Sequence, residues 1–182
     1  MVKKILLVSK TYIASLMVAC VFFGSVSNVS AGSRELKIIA GFLYNFSKFV
    51  QWPAGTFADD KSPFILCVVD QESSGLIIEK TLDGKKIKGR RIIIQSKKSI
   101  NDQNSCHLVF ISNLRQEGMG EVVKSHTESG VLTVNYSHKT SDSQVVINLI
   151  KYKNKFKFQI NQTIAKNAGL QIGSRLLKLA AK

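Results

Sequence analysis

The sequence contains few side chains of the kinds that carry catalysis. It has three histidines and three cysteines, and no two histidines have the spacing that places both on one metal ion. A Gly-x-Ser-x-Gly elbow, a phosphate-binding loop and a dinucleotide glycine fingerprint are absent. These absences argue against the common hydrolases and nucleotide-dependent enzymes. We therefore predict a non-enzymatic protein with no cofactor, no metal site and no catalytic residue.

Acidic residues are also scarce. The 182-residue chain has 12 of them against 26 lysines and arginines, a formal net charge of +14. Such an excess is typical of proteins that bind nucleic acid, an anionic membrane surface or an acidic protein. The cellular compartment decides among these partners.

Residues 1–31 have the pattern of a secretory signal peptide. Lys3 and Lys4 precede a largely apolar stretch at residues 13–23, and Val29-Ser30-Ala31 supplies small residues for cleavage between Ala31 and Gly32. The apolar core is shorter than the roughly 20 residues that span a bilayer. A retained anchor and a lipid on Cys20 are the alternatives. We predict an exported single domain at residues 32–182, with no transmembrane segment and no nucleic-acid partner.

Two cysteines remain after cleavage. Cys67 and Cys106 each lie in an apolar, strand-like run. In an oxidising compartment we expect them to be bonded, provided that their strands are neighbours and the side chains share a face. Two buried free thiols are the alternative, and a Cys106–His107 nucleophile is a less favoured one.

The most patterned stretch of the mature chain is residues 37–53. Apolar side chains recur at helical spacing, and Trp52-Pro53 is expected to end the helix. The apolar positions are Leu36, Ile39, Ala40, Leu43, Phe46 and Val50. We predict an amphipathic helix that covers a sheet.

Apolar runs and helical segments alternate along the rest of the chain. Strands are predicted around Cys67, Ile93, Cys106 and Leu132, with helices through Leu82 and at residues 115–125. Residues 144–150 and 155–160 then form a hairpin with a basic tip, followed by a helix capped by Asn161 and a last helix capped by Ser174. The prediction is an α/β fold: a layered sheet of mainly parallel strands with a C-terminal antiparallel hairpin and helices on the faces.

Two stretches resemble a known family. Residues 42–53, Phe-Leu-Tyr-Asn-Phe-Ser-Lys-Phe-Val-Gln-Trp-Pro, are similar to the opening helix of the YfiR family of periplasmic proteins. Residues 158–161 and 168–180, which include Ala-Gly-Leu-Gln-Ile-Gly-Ser-Arg-Leu-Leu, are similar to that family's ending. Gly173 stands where the family usually has serine, and the hairpin tip is more basic than is usual.

The resemblance implies a regulatory function. YfiR-like proteins hold the periplasmic domain of a membrane-bound diguanylate cyclase inactive, lowering cyclic-di-GMP signalling and with it biofilm formation. An outer-membrane lipoprotein can sequester them. The resemblance also implies homodimer formation, small-ligand sensing and tuning by the disulfide.

Two sets of residues are candidates for partner contact. We predict contact by the C-terminal residues Gln171, Ile172, Arg175 and Leu179. The basic hairpin tip is expected to attract the partner electrostatically through Lys151, Lys153, Lys155 and Lys157. The alternative function is a periplasmic small-molecule binding module with a pocket lined by Trp52 and Tyr44.

Overall fold

The computed structural model describes residues 31–69, 74–97, 106–112, 130–137 and 144–180. The predicted leader before Ala31 and the predicted helix at residues 115–125 lie outside these ranges. From Arg34 onward the chain forms one compact unit, and every contact below lies within it.

Helices and strands follow one another through the described residues. The helices are α1 (Ala31–Phe49), α2 (Ser74–Leu82), α3 (Gln162–Asn167) and α4 (Ser174–Leu179). The first strands are β1 (Val50–Gln51), β2 (Phe64–Val69), β3 (Lys86–Ile87), β4 (Arg90–Lys97) and β5 (Leu108–Ser112). The remaining strands are β6 (Leu132–Ser137), β7 (Ile147–Tyr152), β8 (Lys155–Ile160) and β9 (Gln171–Ile172).

Seven of these strands form one curled sheet in the order β3-β4-β2-β5-β6-β7-β8. The five strands from β4 to β7 run parallel, while β3 and β8 pair antiparallel at the two edges. Parallel strands are buried on both faces, which explains their nearly unbroken apolar runs. The predicted α/β fold with a C-terminal hairpin is confirmed.

Helix α1 covers one face of the sheet, as its spacing predicts. Ile39, Ala40, Leu43 and Phe46 are at most 1% exposed and join the main core. The ring of Phe42, also on α1, lies 5.7 Å from the ring of Phe156 on β8. The predicted apolar stripe is therefore core, and it reaches from the central strands to the hairpin.

The opposite face of the sheet holds a second, smaller apolar cluster. It includes Cys67 and Val69 from β2 together with Val109 and Ile111 from β5. Cys106, just before β5, forms a disulfide with Cys67, with their Cα atoms 5.8 Å apart. The predicted pairing is confirmed because β2 and β5 are neighbours and the two cysteines share a face.

Two local predictions are wrong in detail. Helix α1 ends at Phe49 rather than at Trp52, because Val50 and Gln51 pair with β9. Helix α4 begins at Ser174 with Gly173 as its cap, and no side-chain cap bond is made there. The predicted Asn161 cap is confirmed, since its side chain accepts from the Ile164 N–H at 3.0 Å.

Candidate interaction surface

The two ends of the folded chain meet in a two-stranded sheet. Strand β1 pairs antiparallel with β9, Val50 opposite Ile172 and Gln51 opposite Gln171. The Gly173 N–H also donates to the Phe49 carbonyl at 2.8 Å. This pairing places the C-terminal segment directly beside the end of α1.

The approach of the two segments depends on Gly173. A Cβ atom built there would lie 2.9 Å from the Phe49 carbonyl oxygen, closer than real Cβ atoms come to other atoms. The unusual glycine of this sequence thus allows β9 to lie tightly against the end of α1.

A shallow groove of about 540 Å³ borders the same segment. Its apolar part includes Ala165, Leu170, Ile172 and Leu177, and Lys166 adds a positive charge. Gln162, Thr163 and Asn167 complete the lining. The groove therefore offers an apolar strip with polar and cationic margins.

Of the four predicted contact residues, Ile172 lines this groove, Gln171 pairs with Gln51 beside it, and Arg175 and Leu179 lie on helix α4. Gln171, Arg175 and Leu179 are exposed and Ile172 is half-buried. Leu179 is 67% exposed, and its spacing of four from Arg175 places both on one side of α4. Leu176, which is 3% exposed, anchors the helix in the core. The role of the four residues in binding stays a prediction.

The basic hairpin tip lies elsewhere. Lys151 of β7 forms an ion pair with Glu35 near the start of α1, whereas Lys153, Lys155 and Lys157 are exposed. From Glu35 to Phe49 the helix rises about 21 Å, at 1.5 Å per residue. The structure therefore separates the hairpin tip from β9 by the length of α1.

Lys151 differs from the other three lysines because it is paired with Glu35. The Glu35 carboxylate also accepts a hydrogen bond from the Tyr136 hydroxyl. Burial, with a further contribution from the Glu35 carboxylate, raises the pKa of Tyr136 well above its usual range. These contacts fasten the hairpin to α1, so Lys151 has a structural task in addition to its charge.

The positive charge is unevenly distributed along the sequence, a signal that the total charge of the chain does not reveal. From residue 144 to the end, the chain has eight lysines and arginines and no acidic residue. This stretch supplies the hairpin, the groove and α4, so the candidate surface carries charge of one sign. Counting charges by segment instead of over the whole chain would have revealed it.

His107, which directly precedes β5, has a structural role: its ring binds the start of β2 and the loop before it. Its Nδ1 accepts from the Ile65 N–H at 2.9 Å, and its Nε2 lies 3.3 Å from the Thr56 carbonyl. The imidazole is therefore neutral, with its proton on Nε2, which donates to Thr56. Burial is the main cause that lowers the pKa of His107, and Arg90 adds to it.

Aromatic rings complete this cluster. Phe57 stacks on His107, with the two ring centroids 4.3 Å apart. The Arg90 guanidinium lies over the Phe57 ring, 4.1 Å from its centroid. The Trp52 Nε1–H donates to the His107 carbonyl at 3.1 Å, and its ring meets Phe64 edge to face. These groups use their polar atoms internally, which favours a structural role.

The proposed ligand pocket gains no support from Trp52 and Tyr44. Trp52 belongs to the cluster just described. Tyr44 is half-buried on α1, with the ammonium groups of Lys48 and Lys85 at 5.2 and 5.9 Å from its ring centroid. Neither ring lines the groove beside β9. Neither ring lines a second groove, which is formed by the end of α2, β3 and β4.

The sulfur of Cys106 is bonded to Cys67. His107 directs its ring nitrogens to backbone groups. The residues that the structure describes contain no group of three or more histidine, cysteine, aspartate or glutamate side chains able to hold a metal ion. Within the same residues, no helix is both long and apolar enough to cross a membrane.

The fold defines a class: an α/β domain with a mostly parallel seven-stranded sheet and an internal disulfide. A family model described as YfiR/HmsC-like matches residues 36–181. The chain therefore belongs to the YfiR/HmsC-like family, which confirms the resemblance found in the sequence. This is a family of periplasmic, regulatory, non-catalytic proteins that act on diguanylate cyclases. A comparison with curated proteins found no match.

Proposed function

We propose that this protein is an exported repressor that binds the periplasmic domain of an inner-membrane diguanylate cyclase. Membership of the YfiR/HmsC-like family over residues 36–181 carries the proposal. Residues 1–31 would serve as the signal peptide, with cleavage between Ala31 and Gly32. The protein would act without catalysis or cofactor, by binding the inactive state of the cyclase more tightly than the active state.

Contact is proposed at the surface around β9 and α4. Gln171, Arg175 and Leu179 are exposed there, and Ile172 lines the adjoining groove. Leu179 is 67% exposed, and covering this apolar side chain with a partner would stabilise the complex, because removing apolar surface from water is favourable. The exposed lysines of the hairpin tip would attract an acidic partner from a distance without touching it. An outer-membrane lipoprotein that takes up the repressor would relieve the inhibition.

Two exposed leucines provide a matched test of this contact. Leu179 and Leu76 are each 67% exposed, on α4 and α2 respectively. We expect Leu179→Asp to weaken binding to the cyclase's periplasmic domain by about tenfold or more, because a charge would face the apolar contact. Leu76→Asp should bind as the parent protein does. Calorimetry with the purified domains measures both constants, and repetition at rising salt should weaken binding if the lysines contribute.

The consequence in cells is an increase in cyclic-di-GMP. Deleting the gene should raise this nucleotide, and the Leu76→Asp protein should restore the low level while the Leu179→Asp protein does not. An unchanged cyclic-di-GMP level after deletion would contradict repression itself. Equal restoration by both variants would contradict only the assigned surface.

A further inference from the structure

Among the residues that the structure describes, the outer edge of strand β4 is paired only at its beginning. Its inner edge pairs with β2 from Ile92 to Lys97. On the outer edge β3 covers only Arg90 and Arg91, through the pairs Ile87–Arg90 and Lys86–Arg91. No other described strand pairs with this edge. Six residues of β4 therefore continue beyond the end of β3.

The geometry of the hairpin shows which backbone groups face outward. Lys88 and Gly89 form a two-residue turn with φ values of 49° and 82°, as in a type I′ turn. The residues that close such a turn exchange hydrogen bonds, so the N–H and C=O of Arg90 point towards β3. Backbone direction alternates along a strand, so the same groups of Ile92, Ile94 and Ser96 point to the open edge.

An elongated groove of about 620 Å³ runs along this edge. Ile92 and Ile94 line it, are half-buried and pack against the main core. Leu82 at the end of α2 adds a further apolar wall. An extended segment laid in the groove would meet free backbone groups on one side and apolar side chains below.

Charge around the groove is unevenly distributed. Lys85, Lys86 and Arg91 lie at its β3 end, while Glu79 and Asp83 lie at the end of α2. A segment that pairs with the open edge of β4 would have one end beside Arg91. Acidic side chains at that point would be attracted, and basic ones repelled.

The same charges argue against a second copy of this chain as the occupant. An antiparallel pairing of two β4 edges would bring together two strands that each have arginines at one end and Lys97 at the other, with no acidic residue between them. Like charges close together destabilise a strand pair, and lysines and arginines far outnumber acidic residues in the sequence as a whole. The edge is thus better suited to an acidic strand than to its own.

We propose that the open edge of β4 is a docking site for an extended, acidic segment of another protein, which adds to the sheet as an eighth strand beside Ile92, Ile94 and Ser96. The segment carries apolar side chains at alternate positions, directed into the groove, and acidic ones between them. This site does not depend on the surface around β9, and it holds whether or not that surface binds a cyclase.

Three synthetic peptides of about eight residues test the site. One alternates valine with glutamate, the second alternates valine with lysine, and the third has the first one's composition in two blocks. Hydrogen exchange of the exported protein reads out the amides of β4. We expect the alternating acidic peptide alone to slow exchange at Ile92, Ile94 and Ser96, and to bind at least about tenfold more tightly than the others, which equals about 1.4 kcal/mol.

Two sets of variants separate backbone pairing from general charge attraction. Ile94→Pro removes an outward N–H and should abolish binding, whereas Ile94→Val should keep it. Should Ile94→Pro fail to fold, the exposed pair Lys86→Glu and Arg91→Glu provides a second test. Those two changes together should transfer the preference from the acidic to the lysine peptide.

Each other outcome overturns the proposal. Equal binding of the blocked peptide would show attraction without strand addition. Unchanged exchange at all three amides would show that no segment pairs there. Slow exchange at the same amides that depends on protein concentration, without peptide, would assign the edge to a second copy of the chain.

Discussion

At the scale of single residues, His107 connects several separate segments of the chain. Its ring accepts from Ile65 on β2, donates to Thr56 in the preceding loop, and stacks on Phe57. Its carbonyl accepts from Trp52 after α1. A neutral imidazole is required, because a proton on Nδ1 would face the Ile65 N–H.

Acid should therefore destabilise the fold. Above the unfolded pKa of about 6.5 the imidazole is neutral in both states. Because burial lowers the pKa of His107 in the folded protein, the unfolded chain takes up the proton first as the pH falls. The free energy of unfolding then decreases through the window between the two pKa values. Urea unfolding at about pH 7.5 and about pH 5 should show this loss.

His107→Gln provides the control for this prediction. The variant should be less stable at the higher pH and should lose less stability on acidification. His126 and His138 lie outside the described residues and are present in both proteins, so their titration cancels in the comparison. An identical loss in both proteins would show that other groups cause the acid sensitivity.

At the scale of elements, α1 joins the parts of the molecule that are distant in sequence. Glu35 at its beginning holds Lys151 of the hairpin. The Phe49 carbonyl at its end accepts from the Gly173 N–H. The helix thus fixes both candidate regions, the hairpin tip and the surface around β9, at a set separation.

Two glycines of this region should respond to alanine in opposite directions. A Cβ at Gly173 would approach the Phe49 carbonyl oxygen to 2.9 Å, whereas a Cβ at Gly41 within α1 would meet nothing within 4 Å. We expect Gly173→Ala to destabilise the fold by about 1 kcal/mol or more, a usual size for forced overpacking. Gly41→Ala should stabilise it by about 0.5–1 kcal/mol, because glycine weakens a helix.

Thermal and urea unfolding of the two variants measure these effects. A Gly173→Ala protein as stable as the parent would mean that β9 moves away from α1 without cost. Binding to the cyclase domain should then weaken, because Gln171 and Ile172 of the proposed contact lie on β9.

At the scale of the whole molecule, the disulfide links the β2 region to the start of β5. Cys67 and Cys106 are 39 residues apart in the chain, and both belong to the smaller apolar cluster. The disulfide closes this loop in the unfolded chain and lowers its conformational entropy, which stabilises the folded state by about 4 kcal/mol. The link therefore contributes a large part of the stability expected for a domain of this size.

Replacing both cysteines by alanine should lower the free energy of unfolding by about 2–4 kcal/mol. A reductant should lower the stability of the parent by a similar amount and leave the double variant unchanged. Cyclic-di-GMP measured with the double variant tests regulation: full repression at a temperature where it is folded would show that the bond is structural alone.

Much of this architecture follows from local pattern. The apolar stripe of α1, the buried runs of β2 and β5 and the Asn161 cap are recognisable because side chains repeat at the period of a helix or strand, or cap one directly. The cysteine pair was predictable because both residues lie in such runs. The resemblance at residues 42–53 and 168–180 identified the family without any coordinates.

Other features were decided only by tertiary structure. Strands β1 and β9 have two residues each, too few for a period, and they exist because distant segments pair. The open edge of β4 depends on where β3 ends, and the task of His107 depends on loops brought together by the sheet. Sequence thus determined which faces are apolar and where the charge lies. Long-range pairing determined which backbone groups remain free to receive a partner.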